Sequence, residues 1–330
     1  MTDKPLELVA PAGTPAALRA AVDAGADAVY LGFRDQTNAR NFPGLNFSAA
    51  EFRDALAYAH ARACKVLVAV NTFPPAGRPE AWHGAVDLAA EAGADALILA
   101  DIGLLDYAAR THPQLRRHLS VQASASNPEA IRFYHEAFDI KRVVLPRVLT
   151  LEEIAELNRQ VPVETEVFAF GGLCVMAEGR CLLSAYATGR SPNLNGVCSP
   201  ASHVRYEQRG DTLVSRLGGF TINRFAPGAP AGYPTLCKGR FVTGGRAAYL
   251  FEEPTSLNAI EILPQLMVAG VGALKIEGRQ RGRAYVKRIV AAFHRAIEAA
   301  ARGERLPPSE IAALSEGGRE TLGAYRKTWQ

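Results

Sequence analysis

The sequence predicts an α/β fold, a (β/α)8 TIM-like barrel in regular or irregular form, with a cysteine-rich insertion between its seventh and eighth strands. Three observations carry this. Eight short apolar runs alternate with helix-like segments, as in a parallel sheet covered on both faces. A phrase recurs in which a helical segment ends in Ala-Gly-Ala-Asp before an apolar run, at 24–27 and 92–95, with an echo at Ala269-Gly270-Val271-Gly272. Glycine at a helix C-terminus followed by a buried strand is what an αβ connection requires. Finally, the alternation stops at residues 171–251, a Gly/Pro-rich stretch holding four of the five cysteines.

The runs lie near Glu7–Ala10, Ala28–Gly32, Val66–Val70, Ala96–Ala100, Leu119–Gln122, Arg142–Leu145, Glu164–Phe168 and Ala273–Ile276. Helices are clearest at Pro15–Ala24, Ser48–Ala63, Pro79–Ala92, Pro128–Phe138 and Leu151–Arg159. Ser48 with Glu51, and Thr150 with Glu153, read as capping boxes that satisfy the first free N–H groups of their helices. A doubly wound sheet is the rival fold, but no Gly-x-Gly-x-x-Gly follows the first run. Residues 1–170 and 252–300 form the expected barrel, 171–251 an insertion over its C-terminal face, and 301–330 a helical tail. Inside the insertion, His203–Gln208 and Thr212–Arg216 read as a hairpin around Arg209-Gly210-Asp211. An insertion of this length is too long for an idle connection, and the C-terminal face is where barrels build their sites.

Apolar residues make up 48% of the 330 and charged residues 21%, ample for a core and against long disorder. The net charge of +4 weakly favours an anionic small ligand or an RNA surface, and falls short of a dedicated nucleic-acid binder. There is no run of about 18 apolar residues to span a membrane, and no signal-peptide core at the start. A cytoplasmic protein is expected, where cysteines serve metals, clusters or catalysis before disulfides.

Cys174, Cys181, Cys198 and Cys237 follow the pattern C-x6-C-x16-C-x38-C in loop-like surroundings. Four thiolates from irregular backbone suit an iron–sulfur cluster or a structural zinc. Zinc sites usually show paired C-x2–4-C knuckles, absent here, and wide uneven spacing favours the cluster. Neighbouring Arg180, Arg190, Lys238 and Arg240 would offset the thiolate charge. Cys64, before the third apolar run, reads as a small core residue.

The segments Glu166-Val-Phe-Ala-Phe-Gly-Gly-Leu-Cys174 and Gly179-Arg-Cys-Leu-Leu-Ser184 resemble the signature of peptidase family U32, the collagenase-like proteins, with Gly172 where that signature usually has Ser or Ala. Glu7-Leu-Val-Ala-Pro-Ala-Gly13 and Leu274-Lys-Ile-Glu-Gly-Arg279 match it too. The length, the cysteine spacing and the stretch Thr37–Phe47 are most similar to the branch serving oxygen-independent ubiquinone biosynthesis. The resemblance implies a [4Fe–4S] cluster on Cys174, Cys181, Cys198 and Cys237 and hydroxylation of a ubiquinone-precursor ring without dioxygen. It also implies prephenate as oxygen source, a heterodimer with the paralogue UbiV, and a lipid-carrying accessory protein, UbiT. Related members hydroxylate RNA bases.

A dicarboxylate donor is best held by arginine, and Arg40, Arg147 and Arg279 follow strand ends, as does Arg34. Asn38, Asn71 and Gln122 are polar companions expected to line the site, with Asn41, Asp101 and Ser124 beside them. Glu166 and Glu277 are the candidate catalytic carboxylates, although Glu277 equally suits an ion pair with Arg279 and Glu166 a bond to the cysteine loop. Three alternatives stay open: RNA-base hydroxylation, against which stands the lack of a basic run with interleaved aromatics or of an appendage beyond Ala301; a zinc-stapled scaffold; and proteolysis, for which no His-Glu-x-x-His or Gly-x-Ser-x-Gly is present.

Overall fold

The computed structural model describes residues 6–306 and 310–326. From the N-terminal side, strand and helix alternate as β1 (Glu7–Pro11), α1 (Pro15–Asp23), β2 (Ala28–Leu31), α2 (Ala49–His60), β3 (Lys65–Val70), α3 (Glu80–Glu91), β4 (Ala96–Leu99) and α4 (Ile102–Thr111). They continue as β5 (Arg116–Leu119), α5 (Pro128–Phe138), β6 (Arg142–Val144), α6 (Leu151–Gln160) and β7 (Glu164–Gly172). The insertion follows, with two short helices, α7 (Leu183–Thr188) and α8 (Pro192–Asn195). It then forms an antiparallel sheet of β8 (Val204–Arg209), β9 (Thr212–Leu217) and β10 (Phe220–Phe225), and a hairpin of β11 (Arg240–Thr243) and β12 (Arg246–Tyr249). The chain returns through β13 (Ser256–Asn258), α9 (Leu263–Val268), β14 (Ala273–Ile276) and α10 (Arg283–Ala301), then reaches β15 (Glu320–Thr321).

Strand β14 pairs in parallel with both β1 and β7, so eight parallel strands close into the expected TIM barrel, with the insertion between the seventh and eighth. Both capping boxes form. The repeated Ala-Gly-Ala-Asp phrase has a double purpose. Gly25 and Gly93 take positive φ, +94° and +89°, where a side chain would be strained. The carboxylates of Asp27 and Asp95 then accept from the backbone N–H of Leu8 and Val66, at 2.7 Å each, tying each αβ turn to the preceding strand.

Strand residues with one parity face the helices in the main core; those with the other fill the barrel. Half of that interior is apolar: Val9, Ala28, Tyr30, Leu67, Ala69, Ala96, Ile98 and Ala273. The other half is charged. Buried Arg142 contacts Glu7 at 2.9 Å, Glu164 at 2.8 Å and Glu166 at 3.1 Å, and Lys275 contacts Glu166 at 2.6 Å. Lys275 Nζ also lies 3.9 Å from the centre of the Tyr30 ring, a cation–π contact.

Three expectations are corrected. The fifth strand is Arg116–Leu119, with Val121–Ala123 a 3-10 turn after it; its inward Arg116 and His118 disguised it as a loop. Strand β7 runs to Gly172 rather than Phe168, because its last residues pair antiparallel with β13. The described part of the tail beyond Ala301 holds 3-10 turns and β15, with no α-helix; residues 307–309 and 327–330 of that expectation lie outside the described residues.

Candidate functional site

The C-terminal mouth of the barrel is built where each strand hands over to a polar residue. After β14 come Glu277 and Arg279; after β2, the loop carrying Asn38 and Arg40; after β3, Asn71. Buried Arg279 donates from Nη1 to Asn38 Oδ1 at 3.1 Å and lies 5.5 Å from the Tyr30 ring centre. The amide of Asn38 is aimed by a 2.7 Å bond to the Phe33 carbonyl. Asn71 accepts from the Ala39 N–H at 3.0 Å and donates to Ser120 at 3.0 Å, which fixes the loop before Arg40. Glycines make these approaches possible: a Cβ on Gly32 would stand 2.5 Å from Asn38, and one on Gly13 1.7 Å from the Arg279 carbonyl.

Arg40 and half-buried Glu277 face each other at 3.8 Å, a loose pair, and Glu277 also accepts from the Gly172 N–H at 3.3 Å. Burial pushes the Glu277 carboxyl up, but Arg40, Arg147 and Arg281 more than outweigh it and hold it below the usual range. Arg279 is different. It makes no ion pair among the described residues, and burial pushes it down to about 10. A buried cation without a carboxylate is costly, so this guanidinium favours any anion that enters the mouth.

The cysteines come to the same mouth. Cys174 interacts electrostatically with Arg147 and Arg40, Cys198 with Arg40 and Cys181, and Cys237 with Cys174 and Cys198. Burial raises the Cys174 thiol and pushes Cys237 up to about 11, while Cys198 is exposed. The hydroxyls of Ser184 and Ser199, close in sequence to Cys181 and Cys198, are buried without a partner. Among the described residues no three His, Cys, Asp or Glu side chains meet the geometry of a single-ion site.

Gln122 sits on the turn after β5, its Oε1 buried and unpartnered. Two expected site residues take other positions. Glu166 is the third of nine residues in β7, fully buried beneath the mouth, with its oxygens on Arg142 and Lys275; the continuation of β7 past Phe168 leaves it below the strand end, as a structural charge. Arg147 is committed through Nε to Glu178 Oε1 at 2.7 Å and through Nη1 to the Gly172 carbonyl at 2.5 Å, so two of its three nitrogens are already taken. Arg34 pairs with Glu51 at the surface at 2.8 Å, and Asp101 caps α4. Sequence reasoning missed Tyr30, Lys275 and Glu178; only Glu178, between Cys174 and Cys181, carried a positional signal.

A cavity opens at the N-terminal end of the barrel, lined by Glu7, Lys65, Asp95, Arg116, His118 and Arg142. Its charges are largely paired with one another, and burial first, then Arg142 and Arg116, holds His118 well below its usual pKa, so it is neutral. No described helix is long and apolar enough to cross a membrane.

The sequence profile of peptidase family U32 matches residues 13–321. The chain is 33% identical to the tRNA hydroxylation protein P of Escherichia coli, over 93% of this chain and 71% of that one. It is 29% identical to the Escherichia coli 23S rRNA 5-hydroxycytidine C2501 synthase, covering 89% of this chain and 39% of that protein. A collagenase of Porphyromonas gingivalis is 29% identical, over 90% and 66%.

Proposed function

From the premise that the chain belongs to peptidase family U32, we propose that it is the iron–sulfur subunit of an oxygen-independent hydroxylase acting on the aromatic ring of ubiquinone precursors, a UbiU-type role. The observation that carries this is that Cys174 and Cys198 lie within electrostatic reach of Arg40, and Cys237 within reach of both thiols, at a mouth that also holds the carboxylate-free Arg279. Relatives named for hydroxylation of tRNA and rRNA support ring hydroxylation as the reaction class.

The donor set fits a [4Fe–4S] cluster held by Cys174, Cys181, Cys198 and Cys237. Its support is the electrostatic contact of Cys237 with Cys174 and Cys198, the unpartnered hydroxyls of Ser184 and Ser199, and the compensating charge of Arg40. When bound, the cluster supplies electron transfer or a Lewis-acidic iron. Replacing ring C–H by C–OH without dioxygen takes an oxygen atom and a two-electron oxidation from a co-substrate, for which we propose prephenate. Arg279 holds one of its carboxylates and Arg40 the other, Arg40 exchanging its loose contact with Glu277 for the donor. Glu277, anchored by the Gly172 N–H, then stands free beside the donor to move a proton. Gln122, with its unpartnered Oε1, orients the donor, while Asn38 aims Arg279 and Asn71 holds the loop before Arg40. UbiV completes the enzyme as a heterodimer, and UbiT presents the lipid-tailed substrate.

A second reading, hydroxylation of an RNA base, is favoured by the relatives' names. Iron and acid-labile sulfide per chain, measured after anaerobic purification, test the cluster. About four of each, lost on Cys174→Ala or Cys237→Ala, supports it; about one zinc per chain instead returns the cysteines to a structural role. Deleting the gene and growing without oxygen then separates the substrates. Loss of ubiquinone with intact RNA nucleosides supports the quinone reading, and loss of a hydroxylated nucleoside with normal ubiquinone replaces it with the RNA one.

A further inference from the structure

We propose that Arg147 and Glu178 form the positioning pair of the cysteine loop and have no part in binding the donor, an inference that rests on the cluster reading above. Arg147 leaves the end of β6 and reaches the loop that carries Cys174. Its Nε donates to Glu178 Oε1 and its Nη1 to the Gly172 carbonyl, and its plane lies 4.1 Å over the Phe168 ring. Gly172 stands two residues before Cys174 and Glu178 four after it, so one rigid fork grips both ends of the segment bearing the first thiol. Arginine does this and lysine does not, because only a guanidinium has donors fixed at two angles in one plane.

The rest of the segment is docked as firmly. The Gly172 N–H donates to Glu277. The Ser124 hydroxyl bonds the Glu178 carbonyl. At Gly179, with φ +83°, a Cβ would lie 2.0 Å from the Gln122 carbonyl, so the chain seats flat on the turn after β5. Both charged side chains are almost wholly buried, 6% and 5% exposed, and the free Glu178 Oε2 has no partner. As a neutral pair they add no net charge, but the guanidinium and the carboxylate stand with opposite signs beside the segment that bears Cys174. The pair therefore fixes the position of Cys174 and sets opposed fields on whatever the thiols bind.

Opposed fields give a signature that mere structural support lacks. With the cluster loaded, Arg147→Gln removes a positive charge and moves the midpoint potential more negative; Glu178→Gln moves it more positive; Arg147→Lys keeps the charge and leaves it near wild type. All three loosen the loop. Chelator-driven iron loss is expected to speed up roughly 10- to 100-fold, as for other partners behind metal ligands. In the metal-free full chain, iodoacetamide labelling of Cys174, followed by peptide mass with unlabelled Cys64 reporting that the protein stays folded, is expected to rise roughly tenfold on loss of a charge-assisted bond. Unchanged labelling and unchanged potential in Arg147→Gln, with weakened prephenate binding by calorimetry, would overturn the proposal and return Arg147 to the donor pocket. Potentials that shift the same way in both Gln variants would overturn the field argument. Wild-type protein without iron refutes the cluster reading, while the labelling contrast still decides the clamp. If Arg147→Gln does not fold, Arg147→Lys and Glu178→Gln carry the test.

Discussion

Glu7 offers a charge whose worth can be worked from the structure. Its carboxylate, at the start of β1, meets Arg142 at 2.9 Å and Lys65 at 2.7 Å. Burial pushes the group up, but the hydrogen bonds and charges of Arg142 and Lys65 outweigh it and bring it from 4.5 to about 2. At about 1.4 kcal/mol per unit, that difference is worth about 3 kcal/mol near neutral pH. The contribution is present in full above the unfolded value of 4.5 and is lost as the pH falls through about 2. Glu7→Gln keeps the shape, leaves Arg142 with Glu164 and Glu166 and leaves half-exposed Lys65 to water, so it removes charge without a cavity or a buried orphaned cation. Urea unfolding of both proteins is expected to differ by about 3 kcal/mol at pH 7 and by less than half of that near pH 3. A gap independent of pH would refute the electrostatic account, and a gap below about 0.5 kcal/mol would place the pair among solvent-screened surface bridges.

Other substitutions probe the interior and the mouth. Glu166→Gln leaves buried Lys275 without its carboxylate and should cost about 3–5 kcal/mol, while Glu166→Met with Lys275→Met should recover much of it; thermal and urea unfolding measure both. Gly13→Ala pushes a methyl into the Arg279 backbone carbonyl, and displacing that residue by about 1 Å should lower kcat/KM for the donor about 100-fold and cost about 1–3 kcal/mol of stability, read as a lower unfolding midpoint. Burial, with the carboxylates of Asp27, Asp95 and Glu7, pushes the Cys64 thiol up to about 12, so at pH 8 iodoacetamide should label it only after unfolding. Labelling of Cys64 in the native protein would contradict its place in the core.

The fold was legible because its signals are local. Gly25 and Gly93 end helices, apolar runs follow, and Ser48 and Thr150 open helices with their glutamates. What escaped depended on partners far away in the chain. Arg116, Arg117 and His118 look like loop residues until a barrel closes around them. Glu166 reads as a strand-end acid until β13, more than eighty residues later, extends β7 past it. Arg147 follows a strand end as a ligand arginine would, and only the return of Glu178 shows its guanidinium already engaged. The cysteines stood out by clustering in a segment without helical or strand periodicity, whereas the loose Arg40–Glu277 contact and the carboxylate-free state of Arg279 are properties of distance, which a sequence does not carry.

The closure of β14 onto β1 and β7 also sets a timetable. Strands β1 to β7 are synthesised before residue 173, but the strand that seals them begins at Ala273. At about 5–20 residues per second, the intervening stretch keeps the nascent chain for roughly 5–20 s as an open seven-strand sheet. During that interval β1 and the lower part of β7 present bare edges, the kind that recruit other strands. All four insertion cysteines emerge while their platform is unfinished. Lys238, next to Cys237, is gripped by Glu316, and β13 by β15, so the mouth reaches its final form only when the last described residues have left the ribosome. For the cluster proposed above, delivery to these thiols would therefore follow translation, to a chain that has been kept from aggregating in the meantime.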